Sequence, residues 1–285
     1  MARALDEDLP PLGAALTARG ITHRVVDWDD PTADWAAFGL VVIRSPWDYT
    51  RRHAEFLRWA EAVAALTDLA NPPAIVRWSS DKRYMDDLRE AGVPAVPTSF
   101  AAPGEAMDWP EADEVVVKPT ISAGSLDTER HPAAECAGAE AHVARLHAQG
   151  RVAMAQPYLS AVEGERGETA LVFVDGRFSH ALRKGPMLMP GLELVGGLYV
   201  EEDIRRADPT PAERQVAEAA MAAVPGGARL LYARVDLVPD DAGSPVVLEL
   251  ELVEPSLFLG HAPGAADRVA GAIADRLTAR SSAPG

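Results

Sequence analysis

The sequence is poor in cysteine and in basic residues. Cys136 is the only cysteine among 285 residues, so no intrachain disulfide can form. Lys and Arg number 27 against 43 Asp and Glu, which gives a formal net charge of −16 at pH 7. Nucleic-acid binding depends on basic side chains that neutralise phosphates, so this balance argues against a nucleic-acid partner. It does not exclude a small anionic ligand that binds where basic residues cluster locally.

The chain also lacks a long hydrophobic run. No stretch of about 18 apolar residues is present, and the N-terminus is acidic, unlike that of a signal peptide. We therefore expect a cytoplasmic protein with no membrane partner. With 48% hydrophobic and 25% charged residues, the chain has the composition of a folded protein that buries a sizeable core.

Hydrophobic patterns in the first 80 residues predict alternating helices and strands. They predict helices over 5–19 and 53–66, and strands over 21–28, 40–44 and 75–78. This alternation is typical of a small α/β domain with a parallel sheet. Such a domain usually opens with a strand, so we expect that a first strand is either absent or missing from a truncated start.

The remaining residues are predicted to form strands, helices and two hairpins. We expect helices over 81–91, 133–149, 211–224 and around 269–277, and strands over 114–118, 153–159, 169–174 and 178–184, with 96–100 extended. Asp175-Gly176 makes the last two strands a hairpin. A hinge is expected near 93–110. Segments 185–197 and 122–128 are candidate lids.

Two pairs of charged residues, three acidic residues and one arginine in all, stand in a second predicted hairpin. Arg234-Val-Asp236 and Glu249-Leu-Glu251 flank a turn rich in Pro, Asp, Gly and Ser. Alternate residues of a strand share a face, so three carboxylates and a guanidinium meet if the two faces coincide. Two carboxylates about 4 Å apart repel by roughly 4 kcal/mol at an effective dielectric near 20, which favours a bound cation. All-oxygen ligands indicate Mg²⁺. The alternative is that these residues form the solvated face of the hairpin. The many apolar residues of the second strand argue against it, because they indicate a buried strand.

Two lysines are placed where they could bind phosphate. Lys118 ends the apolar strand and precedes a Thr/Ser/Gly loop, whose N–H groups could act together with the ammonium. Lys82 lies at a predicted helix start, where the backbone favours anions. Each could instead be a solvated surface lysine.

Three further segments carry weaker signals. Gln156-Pro157-Tyr158-Leu159 closes a strand and could meet an adenine edge, Glu168 follows Gly167, and Arg183-Lys184 forms a basic pair. Taken singly, each is an ordinary strand end.

As an ordered set, these elements resemble the ATP-grasp superfamily from about residue 82 to residue 256. Residues 1–80 are similar to the small α/β domain that precedes the grasp. The runs 41–49 and 248–258 are similar to the branch that contains the O-ureido-serine cyclo-ligase of cycloserine biosynthesis. The resemblance implies an α/β ATP-grasp fold over 81–280, with a central lid subdomain within 81–175 and a metal-binding lobe over 176–280.

The resemblance also implies a role for each matched residue. Lys82 and Lys118 would hold ATP phosphates, and Lys118 and Arg234 would act on the reacting groups. The adenine pocket would be lined by Gln156, Pro157, Tyr158 and Leu159. Glu168 would hold the ribose hydroxyls, and Arg183 or Lys184 would lie near the γ-phosphate. Asp236, Glu249 and Glu251 would hold Mg²⁺, with two ions expected. Glu251 departs from the Asn that most ATP-grasp enzymes have there, so substrate specificity does not transfer simply.

Substrate recognition is expected in the cleft between the lobes. Arg44, Trp47 and Asp48 follow the end of a strand, where ligands bind in open α/β sheets, and Ser256 lies just past the metal site. The aromatic residues of this segment could instead be inter-lobe packing. His180 and His261 are more typical of structural or exposed histidines than of proton-transfer groups.

The function expected from the resemblance is an ATP- and Mg²⁺-dependent ligase. It would activate the carboxylate of an amino-acid-like substrate as an acyl phosphate and form a C–N bond, most simply by ring closure of the O-ureido-D-serine to D-cycloserine type. Two alternatives stay open: a ligase that joins two molecules, and a nucleotide-binding sensor without catalysis. A homo-oligomer is compatible with the sequence.

Overall fold

The N-terminal region is a small α/β unit. The structure, a computed structural model, describes residues 5–164, 167–185, 204–227 and 229–281. Helices α1 (Leu9–Ala18), α2 (His53–Ala64) and α3 (Pro73–Ser79) accompany strands β1 (Leu40–Val42) and β2 (Asp68–Ala70), which pair in parallel. The predicted parallel α/β character is therefore present, on a sheet of only two strands.

Two predicted strands of this region are wrong. Residues 75–78 lie inside α3, whose first residue is Pro73. A run as short as Ile75-Val76-Arg77-Trp78 does not distinguish a buried strand from a buried helix, and Pro at the first helical position favours the helix. Residues 21–28 form no strand, because almost all their side chains are exposed or half-buried and offer no apolar face to a sheet.

A four-stranded antiparallel sheet forms the middle of the chain. Its order is β3 (Ser99–Ala101), β6 (Ala153–Pro157), β4 (Glu114–Pro119) and β5 (Glu129–Pro132). Helices α4 (Tyr84–Glu90) and α5 (Cys136–Ala148) precede and interrupt these strands. Val115 and Val117 pack beneath α5, against Ala139, Val143 and Leu146. The other face of β4 is therefore left for the cavity described below.

A five-stranded antiparallel sheet carries most of the buried core. Its order is β11 (Pro245–Glu251), β10 (Tyr232–Pro239), β7 (Glu168–Val174), β8 (Arg177–Lys184) and β9 (Ile204–Ala207). Helix α6 (Pro211–Ala222) packs on the face of Leu171 and Phe173, and helices α1 and α7 (Ala265–Ser281) pack on the face of Val172 and Val174. Because neighbouring side chains of β7 point to opposite faces and helices cover both faces, Ala170 to Val174 are all apolar and buried.

Two buried polar side chains join the N-terminal unit to this sheet. The Asn71 amide donates to the carbonyls of Tyr232 and Leu252, at 2.9 and 2.8 Å, and its oxygen accepts from the Leu231 N–H at 2.8 Å. The Tyr232 hydroxyl lies 2.8 Å from the carbonyl of Ile43. These bonds fix the N-terminal unit against β10 and β11, the strands that carry Asp236, Glu249 and Glu251.

The division into domains at residues 80 and 175 remains a prediction. The second boundary falls in the turn between β7 and β8, which are neighbours in one sheet. Most of the candidate lid 185–197 lies outside the described residues, whereas the loop 122–128 is described. No described helix has the length and apolar character needed to cross a membrane.

Candidate active site

A cavity of about 860 Å³ lies where the two larger sheets and the N-terminal unit meet. Most of the site residues expected from the sequence line it. They are Trp47, Lys82, Lys118, Gln156, Pro157, Tyr158, Leu159, Glu168, Lys184, Arg234, Asp236, Glu249, Glu251 and Ser256. Residues more than 200 positions apart, from Trp47 to Ser256, therefore converge on one concave surface.

The acidic hairpin has the register that brings its charges together. Arg234 lies opposite Glu251 and Asp236 lies opposite Glu249 across the β10–β11 ladder. Residues paired across antiparallel strands share a face, so all four side chains point into the cavity. A β-bulge follows Asp236 and shifts the pairing of the apolar residues beyond it.

Two cations neutralise the carboxylates on β10 and β7. The Arg234 guanidinium contacts Asp236 through Nε at 2.9 Å, and it also pairs with Glu251. The Lys184 ammonium lies 3.2 Å from Asp236 Oδ2 and pairs with Glu168. Both cations, Asp236 and Glu168 are buried, and the Glu251 side chain is 26% exposed. The pairs therefore offset desolvation that would otherwise be very unfavourable.

The remaining lysines lie on the other side of the cavity. Lys82 Nζ is 3.1 Å from Glu249 Oε1 and donates to the Ser122 carbonyl at 2.8 Å. Among the described residues the Lys118 ammonium has no hydrogen-bond partner, although the side chain is buried. Burial lowers the pKa of Lys118, partly offset by Glu249. An anionic ligand would therefore be stabilised by this ammonium.

The acidic groups of the site divide into two classes. Burial opposes ionisation of Asp236, but Arg234 and Lys184 outweigh it and hold its pKa at about 2. Burial likewise opposes ionisation of Glu249, whose pKa is lowered by Lys82 and Lys118. By contrast, burial raises the pKa of Glu168 and of Glu251 to about 7.

The predicted adenine segment ends strand β6 at the cavity. The Gln156 side chain is buried and donates to Thr98 Oγ1 at 3.0 Å, so its amide is held by the protein. The Tyr158 hydroxyl donates to Glu163 at 2.7 Å, and the Arg130 guanidinium lies 3.5 Å from its ring centroid. This packing presents a fixed strand end to the cavity.

Comparison with known proteins places the chain in a family. The model of the N-terminal domain of D-cycloserine synthetase DcsG matches residues 1–71. The cycloserine biosynthesis protein DcsG of Streptomyces lavendulae is 45% identical over 288 aligned residues, which cover 96% of this chain and 95% of that protein. The chain belongs to the DcsG family of ATP-grasp ligases.

Solved structures give the same result for the fold. The crystal structure of D-cycloserine synthetase DcsG has a TM-score of 0.86 at 44% identity and covers 95% of both chains. The ATP-grasp ligase PsnB complexed with a minimal precursor has a TM-score of 0.62 at 18% identity, with 96% of each chain covered. D-alanine–D-alanine ligase from Bacillus anthracis complexed with ATP has a TM-score of 0.58 at 13% identity, with 82% and 83% covered. The predicted ATP-grasp fold, DcsG-type branch and carbon–nitrogen ligase class are confirmed.

Three predicted site residues of this DcsG-family chain do not reach the cavity. Arg44 is buried and pairs with Asp8 at 2.9 Å. Asp48 accepts from the Trp28 indole at 3.0 Å. Arg183 points to the far side of its strand, where it pairs with Glu213 at 3.1 Å, while its neighbour Lys184 points into the cavity.

One cavity residue was missed by the sequence analysis. Glu254 is buried and lines the cavity beside Trp47 and Tyr49, and it shares a hydrogen bond with the buried Tyr49 hydroxyl. Burial, reinforced by Glu251, raises the pKa of Glu254 to about 8. The only sequence signal was an acidic residue inside the otherwise apolar run 252–259, where a carboxyl group is rarely buried without a function.

Proposed function

We propose that this chain activates a substrate carboxylate as an acyl phosphate at the expense of ATP and then closes a ring through a C–N bond. The proposed reaction is of the O-ureido-D-serine to D-cycloserine type. The observation that carries the proposal is the convergence of three carboxylates with Lys82 and Lys118 on one cavity, in a DcsG-family chain.

The lysines and Arg234 supply the positive charge that phosphoryl transfer needs. Catalysis of this step consists mainly of positioning and charge neutralisation. Lys118, on β4 of the middle sheet, and Lys82, between α3 and α4, would hold the ATP phosphates. Arg234 and Lys184 approach from the five-stranded sheet, close to the carboxylates. The adenine would lie at the end of β6, which forms one wall of the cavity.

The carboxylate set fits Mg²⁺. Asp236, Glu249 and Glu251 offer only oxygen ligands from adjacent positions of one hairpin, and hard oxygen donors are what Mg²⁺ prefers. When bound, Mg²⁺ would neutralise the phosphate oxygens and help to orient them. Three carboxylates are enough to share two ions with the phosphates of ATP, and we propose two.

The substrate would bind at the end of the cavity formed by Trp47, Tyr49, Glu254 and Ser256. An amino-acid-like substrate carries an ammonium, which would be attracted to a buried carboxyl group. Binding of the ammonium would favour the ionised form of Glu254. The substrate carboxylate would then lie toward Arg234, whose guanidinium donates to the Ser256 carbonyl at 3.0 Å.

The proposed reaction proceeds through an acyl phosphate. A carboxylate oxygen of the substrate attacks the γ-phosphorus of ATP, and the bond to the leaving ADP breaks. The ureido nitrogen bonded to the side-chain oxygen then attacks the activated carbonyl carbon, loses its proton and expels inorganic phosphate. One water molecule hydrolyses the carbamoyl group from that nitrogen, which releases carbon dioxide and ammonia and leaves the ring. Exclusion of water protects the acyl phosphate during this interval.

The test is to measure ADP release from ATP and Mg²⁺ with O-ureido-D-serine, its L-enantiomer and a panel of amino acids. Ring closure predicts release that depends on the ureido substrate alone, and a product whose mass is that of a single cyclised molecule. Release that requires two different substrates, with a product of their combined mass, would instead identify an intermolecular ligase. Nucleotide binding without turnover across the panel would identify a sensor. Homo-oligomerisation and a cytoplasmic location remain predictions.

A further inference from the structure

Two histidines and a glutamate meet on the middle sheet, away from the cavity. Glu129 and His131 lie on β5, opposite Val117 and Val115 of β4. Those valines pack beneath α5, so the side chains of Glu129 and His131 share the α5 face. Val116 and Lys118 face the cavity instead. The cluster is therefore separated from the ATP site by the thickness of the sheet.

The third member of the cluster, His142, comes from α5. His131 Nε2 lies 3.4 Å from His142 Nδ1 and 3.5 Å from Glu129 Oε2, and His142 Nδ1 lies 3.7 Å from the same carboxylate oxygen. Three atoms, one from each residue, therefore form a nearly equilateral triangle.

The dimensions of this triangle match a tetrahedral metal site. Ligands about 2.0–2.2 Å from a tetrahedral ion are separated from one another by roughly 3.3–3.5 Å. The three observed separations, 3.4 to 3.7 Å, need an adjustment of at most a few tenths of an ångström. Hydrogen bonds between nitrogen and oxygen are normally about 2.7–3.2 Å long, so the same separations are too long for a good hydrogen-bonded network.

The protonation and burial of the cluster also suit a cation. Burial lowers the pKa of both His131 and His142, which leaves neutral imidazoles with lone pairs available. The exposed fraction of the side chains rises from 2% at His142 to 13% at His131 and 45% at Glu129. An ion can therefore enter from the Glu129 side, and a water molecule can complete its coordination there.

A further residue holds the glutamate in the orientation that a metal requires. Arg145, one turn after His142 on α5, donates to Glu129 Oε1 at 2.5 Å. The other oxygen, Oε2, is left facing the two imidazoles. Outer partners of this kind orient metal ligands and are part of most metal sites.

We propose that Glu129, His131 and His142 form a binding site for a divalent transition-metal cation of the Zn²⁺ class, separate from the Mg²⁺ site. Two imidazoles and one carboxylate suit Zn²⁺ and its neighbours, whereas Mg²⁺ takes oxygen ligands. The ion would join β5 to α5. Because β5 directly follows the loop that includes Ser122 and Thr128, both of which line the cavity, the ion would also fix one end of that loop.

The proposal is tested by titrating the untagged, chelator-treated full-length protein with Co²⁺ and Zn²⁺ in excess Mg²⁺. We expect one equivalent of Co²⁺ to bind with the intense visible absorption of four-coordinate cobalt, and Zn²⁺ to displace it. Excess Mg²⁺ occupies the oxygen-ligand site and keeps it out of the measurement. Absence of any binding stronger than that of the cluster variants below would overturn the proposal.

Three variants locate the site, and two variants serve as controls. His142→Ala and Glu129→Gln should each weaken Zn²⁺ binding by at least about 100-fold, and Arg145→Gln by about 10-fold or more. His147→Gln lies on the same α5 but outside the cluster and should bind as the parent does. Glu249→Gln should also retain the Zn²⁺ equivalent. Loss of that equivalent in Glu249→Gln but not in Glu129→Gln would assign the ion to the hairpin and refute the proposal. Glu129 is the most exposed residue of the cluster, so Glu129→Gln is expected to fold. Its Zn²⁺ affinity tests the proposal even if His142→Ala fails to fold.

Discussion

The buried carboxyl group of Glu254 should make the stability of this protein depend on pH. Its side chain is buried at the end of the cavity beside Trp47 and accepts a hydrogen bond from the Tyr49 hydroxyl. Burial and the nearby Glu251 raise the pKa of Glu254 from its ordinary 4.5 to about 8. The folded protein therefore keeps the proton of Glu254 at a pH where the unfolded chain has lost it.

The sign and size of the effect follow from this difference. Below pH 4.5 both states hold the proton and the group has no effect. As the pH rises toward 8 the unfolded state is increasingly favoured, because it alone has released the proton. The difference in pKa corresponds to at most about 5 kcal/mol, of which about 2 kcal/mol should be lost between roughly pH 6 and pH 8.

The perturbation is Glu254→Gln, which keeps the shape of the side chain but cannot ionise. The free energy of unfolding is measured by urea denaturation near pH 6 and near pH 8. The decrease between these two pH values should be about 2 kcal/mol smaller in the variant than in the parent. Glu90→Gln, at an exposed position, is the matched control and should behave as the parent. An identical pH dependence in Glu254→Gln and the parent would refute the reasoning.

Other substitutions test the site and its framework. Glu249→Gln should abolish ADP release while the urea midpoint is retained, and full turnover would contradict the metal assignment. Glu251→Asn should keep part of the activity, because Asn is the commoner ATP-grasp residue there, and a complete loss would contradict that role. Arg44→Ala should lower the free energy of unfolding by about 3–5 kcal/mol, because it leaves Asp8 buried without its cation. A raised KM without a loss of stability would instead place Arg44 at the substrate. Asn71→Ala leaves three buried backbone groups without partners, at about 1–3 kcal/mol each, and a urea-measured loss below about 1 kcal/mol would contradict the bonding described here.

The elements that the sequence predicted well are those governed by local rules. The second hairpin follows from turn residues and strand alternation. Alternation left open whether the charged faces of its two strands coincide, and the register, which places Asp236 opposite Glu249, shows that they do. The order of the lysines, the strand ends and the charged residues of the hairpin along the sequence then identified the fold. Several motifs in a fixed order are far more specific than any one of them.

What the sequence did not predict depends on distant partners. Arg44, Asp48 and Arg183 have the right chemistry for a ligand, but each is held by a residue at least 20 positions away. A strand end can be predicted from periodicity, whereas the partner chosen by a long side chain depends on packing that brings remote segments together. The buried state of Glu254 is hidden from the sequence for the same reason.

The ion pairs of the cavity suggest why its charges are buried at all. Replacing a buried pair by apolar side chains is often neutral or stabilising, so stability alone does not explain these pairs. Asp236, Glu249 and Glu251 each already have a cation as partner. In the proposed reaction, Mg²⁺ would bind to these carboxylates while their former lysine and arginine partners turn to the ATP phosphates and the substrate carboxylate. Charge would then be exchanged between partners that are already in place, with little reorganisation of the surroundings. Glu251 adds one negative charge to the metal site that an asparagine would not add. The activity of Glu251→Asn is therefore the most direct measure of how far the proposed reaction depends on this charge.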